Sequence, residues 1–157
     1  MIVQSQQNHA GRPASRPVQS ADALLAVLGG AHQKVESCIS ELELITSETE
    51  SDEMTIGSAR MRIGQANLAR RRIVQEVCGH LADCVSPHEA GSLRSLQTDD
   101  ITQFQLVSRH IQHWTASRVK EDWRGYCAAF RALAARVRET MLAEKQLLYP
   151  LLQHAAR

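Results

Sequence analysis

The chain is poor in aromatic side chains: Phe, Trp and Tyr make up 4% of its 157 residues. A core of this sequence must be filled by Leu, Ile, Val and Ala, the aliphatic residues that most often lie inside. An excess of charge of one sign is also missing. Lys and Arg number 18 against 17 Asp and Glu, a formal net charge of +1, so nothing pulls the whole chain towards nucleic acid or an anionic membrane, and neither is expected as a partner. No apolar run approaches the roughly 20 residues that a transmembrane helix needs. The first residues lack the basic start and apolar stretch of a secretory signal. The expected compartment is therefore the cytoplasm, where Cys38, Cys78, Cys84 and Cys127 are expected as reduced thiols acting as small hydrophobes. There is no Gly-rich phosphate loop, HExxH pair or nucleophile elbow, and no enzymatic activity is expected. Alternating apolar and polar runs bounded by turn signals, the mark of strands, are absent too.

What is present is helical periodicity, within a length that fits one domain. Residues 1–19, rich in Gln, Ser, Arg and Pro, are expected as a disordered arm. Residues 20–152 are expected as a helical bundle and 153–157 as a short tail. Ser20 can cap a first helix, whose apolar face is Leu24, Leu28, Val35, Ile39 and Leu42. After an acidic, Ser/Thr-rich stretch, Ile56, Ala59, Ile63, Ala66, Ile73, Val77, Leu81 and Cys84 mark a second. Ser86-Pro87-His88-Glu89 reads as a capping signal for a short helix or turn. Residues 98–100 then open a third long helix with Ile101, Phe104, Val107, Ile111 and Trp114 on its apolar face. A short connection at 115–119 leads to a fourth helix through Trp123, Cys127, Phe130, Leu133, Val137, Met141, Glu144 and Leu148, which Pro150 is expected to end or kink. Four long amphipathic helices joined by short links predict an all-α, antiparallel up-down four-helix bundle.

Polar residues interrupt these faces once per helix: His32, His80, His110 and Glu144. Burying an unpaired polar group costs several kcal/mol, so four interruptions point to a shared spot inside the bundle. Three imidazoles and a carboxylate there would suit a metal ion, iron first and zinc or manganese less specifically. The plainer readings are a histidine bonded to a backbone carbonyl and a Glu144 paired with an arginine of a neighbouring helix, since buried polar groups find partners. Arg70-Arg71-Arg72 reads as a solvated rim. Zinc at Cys78, His80, Cys84 and His88 is not expected, because Cys78 and Cys84, six apart on a helix, face away from each other.

Over residues 21–152 the chain resembles the hemerythrin-like (HHE cation-binding) family. The most specific stretch is 144–152, EKQLLYPLL, which is similar to the family's EE-x-x-L-F/Y-P-L-L ending. His32, His80, His110 and Glu144 match family positions one by one. The resemblance implies a four-helix bundle with a non-haem di-iron centre that binds oxygen, senses oxygen or redox state, or handles iron or nitric oxide. This sequence departs from the pattern at three points: Cys84 stands where His80-x-x-x-Glu is the rule, Thr140 where His-x-x-x-Glu144 is the rule, and Trp114 four residues after His110. Two expectations follow. One is a metal-binding sensor or iron-handling module whose incomplete site holds a single ion through His32, His80, His110 and Glu144. The other is a metal-free bundle that serves as a protein-interaction or regulatory module through an outer helix face.

Overall fold

In a computed structural model of the chain, residues 19–157 are described; they form five α-helices, with no strand among the described residues. The expected arm, with His9, falls outside the described residues except for Gln19. The helices are α1 (Ala21–Ser47), α2 (Glu53–Leu81), α3 (Pro87–His113), α4 (Ala116–Glu121) and α5 (Trp123–Ala155). Each begins at a side-chain oxygen that accepts a backbone N–H three residues on. Ser20 takes Ala23 at 3.2 Å, Asp52 takes Thr55 at 2.8 Å, Ser86 takes Glu89 at 3.3 Å, Thr115 takes Arg118 at 3.3 Å and Asp122 takes Gly125 at 2.9 Å. These bonds satisfy N–H groups that the first helical turn leaves without partners. At Ser86 the Glu89 carboxylate accepts the Ser86 N–H at 2.8 Å, completing a capping box with Pro87 at the first helical position.

Three boundaries differ from the sequence expectation. The capping box at Ser86 starts the long helix itself: α3 runs unbroken through Gly91 and residues 98–100. Gly91 costs this helix about 1 kcal/mol, which the burial of Leu93 and Leu96 just beyond it offsets. The connection after Trp114 is itself helical, as α4. Pro150 does not end α5, which continues to Ala155. The missing proline N–H removes one intrahelical bond, but Leu148 and Leu152 on either side are fully buried and hold the last turns in place.

Helix α1 packs against α2 and α5, and α3 packs chiefly against α5 and only sparsely against α2. The apolar core is in two parts. One gathers Val35, Ile39 and Leu42 of α1 with Ile56, Ala59 and Ala66 of α2 and Tyr126, Phe130, Val137 and Met141 of α5. The other gathers Leu24 and Leu28 with Val74, Val77 and Leu81, Leu93 and Leu96, and Leu148 and Leu152. Between the two, every long helix carries buried polar residues: His32, Asn67 and Arg70, Asp100 and Gln103, and Glu144.

The inward face of α3 is not the apolar stripe expected from its sequence. Ile101, Phe104 and Ile111 are 56%, 44% and 53% exposed, whereas Asp100 and Gln103 are buried with Leu93 and Leu96. The start at Pro87 fixes the choice: Leu93 and Leu96 share a face with Asp100 and Gln103 at steps of three and four. No helix among the described residues is long and apolar enough to cross a membrane.

Candidate functional site

Of the polar residues between the two apolar clusters, His32, Asn67, Arg70, Asp100 and Glu144 form one connected network, and Gln103 stands beside it. Glu144, on α5, is fully buried. One carboxylate oxygen accepts from Nη1 of Arg70 on α2, which is equally buried. The other lies 2.8 Å from Nε2 of His32 on α1. His32 Nδ1 is 2.9 Å from the Tyr149 hydroxyl, five residues further along α5. With the proton on Nε2, the imidazole donates to Glu144 and accepts the Tyr149 O–H, so both ring nitrogens are used. Burial, and beyond it the negative charge of Glu144, raise the Tyr149 phenol above its ordinary range, so Tyr149 keeps the proton it shares with His32.

The network continues through α2 to α3. Arg70 Nε donates to Asn67 Oδ1 at 3.1 Å, and Arg70 Nη2 lies 3.8 Å from Asp100. Asp100 is held by the next residue: Arg71 Nε reaches both its oxygens at 3.0 Å and Arg71 Nη2 one of them at 2.9 Å. The Arg71 guanidinium in turn lies over the Phe104 ring, 4.1 Å from its centre, a cation–π contact that covers the paired charge. Two guanidinium cations and two carboxylates thus cancel. Arg70 Nη2 and Gln103 Nε2 are buried without a hydrogen-bond partner among the described residues.

Of the four residues expected to meet, His32 and Glu144 do. The partners supplied by α2 and α3 are Arg70 and Asp100. His80 lies ten residues beyond Arg70 in the last turn of α2, and His110 lies ten beyond Asp100 near the end of α3. Each offset is about 15 Å along a helix axis at 1.5 Å per residue. His80 is half-buried. His110 faces Tyr126, ring centres 5.9 Å apart, beside Arg60, whose guanidinium is 5.4 Å from the Tyr126 centre and donates to the Trp114 carbonyl. Burial above all, and then the charge of Arg60, push the His110 imidazole down to about 4, so it is neutral at physiological pH. It borders a small cavity of about 60 Å³ lined mainly by apolar side chains.

A metal ion needs its donors within a few ångströms of one point. No group of three or more His, Cys, Asp or Glu side chains among the described residues is placed to hold one. At the point where His32 and Glu144 meet, the Arg70 guanidinium already occupies the carboxylate, and a further cation would face its charge at close range. The expected four-ligand set does not fit a single ion in this arrangement.

The Arg70-Arg71-Arg72 triplet also departs from a solvated rim: Arg70 is buried, Arg71 is nearly so, and Arg72 alone is exposed. A signal for this was present in the sequence. Arg70 falls four residues after Ala66 and four before Val74, on the apolar face of α2, and Asp100 falls four after Leu96 on α3. Tyr149 carries no such signal: five residues after Glu144 it falls about 140° round α5, off the inward stripe. Compared with known families, curated proteins and solved structures, the chain has no match.

Proposed function

We propose that the chain is a metal-free, non-enzymatic helical module for protein interaction, built as an antiparallel up-down four-helix bundle of the hemerythrin-like kind, with α4 as a short helical link. The observation that carries this reading is the Arg70–Glu144–His32 contact at zero to 1% exposure. It gives the buried glutamate two partners from the chain itself, which removes the need for an ion. The antiparallel arrangement is supported by Glu41 with Arg62, late in α1 and early in α2, by His32 with Glu144 and Glu43 with Arg138, which run in opposite order along α1 and α5, and by Arg71 with Asp100 and Arg60 with the Trp114 carbonyl, which do so along α2 and α3. The interaction role is supported by α3, which turns Ile101, Phe104 and Ile111 to solvent; apolar residues grouped on an outer face mark interaction sites.

The test is metal content after anaerobic purification from iron-supplemented cells, together with thermal melting with and without a chelator. The proposal expects far substoichiometric metal and unchanged melting. Near-stoichiometric iron, zinc or manganese that disappears in His32→Ala and His80→Ala would overturn it in favour of the metal-binding sensor or iron-handling module, with His32, His80, His110 and Glu144 as ligands.

A further inference from the structure

All four long helices border the 60 Å³ cavity beside His110, with Val35 of α1, Gly64 of α2, Val107 of α3, and Phe130 and Val137 of α5 among its walls. It has room for about four to six non-hydrogen atoms, each counted as a water. Ile111, 53% exposed, borders it too, so the cavity reaches the surface where α2 and α3 pack sparsely. No Asp or Glu among the described residues lines it. Three polar side chains do: Tyr126, His110 and Arg60. Tyr126 is 1% exposed, closed in by Trp114, Trp123 and Phe130 with ring centres 5.7, 5.9 and 6.4 Å away. Its hydroxyl makes no hydrogen bond among the described residues, although a buried polar group usually has a partner. Burial, against a smaller pull from Arg60, pushes the phenol up to about 12, so it keeps its proton and can donate it. The His110 nitrogens are also without a hydrogen bond among the described residues, and the neutral imidazole carries one N–H.

Arg60 is half-buried and has no ion-pair partner among the described residues. Its one hydrogen bond, from Nη2, goes to the Trp114 carbonyl. Glu50, Asp52 and Glu53 share an outer pocket with Arg60, but they are exposed and beyond ion-pair distance. The charges that act on His110 are positive, those of Arg60 and His113, and no carboxylate offsets them. From these placements we propose that the cavity binds a short-chain aliphatic carboxylate, its tail among the apolar walls and its oxygens accepting from Arg60, Tyr126 and His110. The ligand supplies the acceptor that the buried hydroxyl lacks and the anion that Arg60 lacks. Hydrogen bonds to an ionised acceptor are roughly twice as strong as neutral ones. An alcohol with the same tail offers the acceptor without the charge, and an amine meets the guanidinium as a like charge. Apolar walls with a few placed polar groups are the common build of a small-molecule site. The inference goes beyond the interaction reading above and does not rest on it.

The experiment titrates the full chain, labelled with ¹⁵N, with sodium butyrate at neutral pH and constant ionic strength, and follows amide shifts by NMR. Parallel titrations use 1-butanol and butylammonium chloride. Butyrate should give saturable shifts at cavity residues such as Gly64, Val107 and Tyr126, with a Kd about tenfold below those of the alcohol and the amine, the effect of one charge-assisted contact. Tyr126→Phe removes the hydroxyl alone and should weaken butyrate binding about three- to tenfold. Because that hydroxyl has no partner in the free chain, the same variant should not lower the urea midpoint. At Gly64 an added Cβ would meet nothing within 4 Å, so Gly64→Leu fills the space without a clash, favours the helix and should abolish binding. Absence of saturable shifts, equal binding of butyrate and butanol, or unchanged binding by both variants would overturn the inference. So would shifts confined to exposed arginines such as Arg72 and Arg109, which mean an adventitious ion only. A drop in the urea midpoint of Tyr126→Phe would also overturn it, since the hydroxyl would then have a partner within the chain.

Discussion

Arg70→Met removes the cation that holds Glu144 and keeps most of the side-chain volume. Glu144 then stays fully buried with His32 as its one remaining partner. Removing one member of a buried ion pair costs about 3–5 kcal/mol, because the other is left as an uncompensated charge. In a domain of this size that corresponds to a fall of roughly 6–20 °C in melting temperature. Replacing both members, Arg70→Met with Glu144→Leu, removes the stranded charge. It leaves His32 Nε2 and Asn67 Oδ1 without partners, at about 1 kcal/mol each. The double variant should therefore be more stable than either single one, a coupling of several kcal/mol between contacting sites. Urea unfolding followed by circular dichroism reads all four corners of the cycle. If Arg70→Met costs below about 1 kcal/mol, or the two single effects add to the double, the network does not hold the core as described.

Other outcomes follow from the same contacts. Tyr149→Phe removes the hydroxyl that bonds His32 Nδ1 and should lower stability by about 1 kcal/mol in urea unfolding. His110, pushed down to about 4 in the fold from the ordinary histidine value of 6.5, binds fewer protons folded than unfolded between those values, so stability should fall as pH drops from 6.5 to 4. An NMR titration should place the His110 midpoint near 4, and His110→Phe should flatten that slope of stability against pH; an ordinary midpoint would contradict the burial. Of the four thiols, Cys84 is exposed and the others are buried, with Cys78 pushed up to about 11 by burial and then by Glu144 and Asp100. A thiol reagent should modify Cys84 promptly in the native chain and all four cysteines in denaturant.

Much of the helical content was legible because caps and periodicity agree. Ser20 and the Ser86–Glu89 box start helices where the sequence signals them, and all five apolar residues named for the first helix are buried. The register of α3 was misread because Ile101, Phe104 and Ile111 form a good stripe on their own. The competing stripe through Leu93, Leu96 and Asp100 becomes visible only when Gly91 and residues 98–100 are read as helix interior. The idea of one polar residue per helix meeting at a point matches the network, but two of its members were chosen by residue type. A histidine carries the donor atom of a ligand, and an arginine carries a charge that usually stays at the surface. Depth along the helix axis instead pairs His32 and Glu144 with Arg70 and Asp100, and leaves His80 and His110 about two to three turns away. Buried arginine is rare unless paired, which is why Arg70 was placed outside.

The most direct measurement is a crystal structure of protein prepared anaerobically from iron-supplemented cells, with diffraction data collected at the iron absorption edge. The expected map has the Arg70 guanidinium within hydrogen-bond distance of Glu144, His32 on the other carboxylate oxygen, and no anomalous density between the helices. An anomalous peak bonded to Glu144 and His32, with Arg70 swung away, would contradict it.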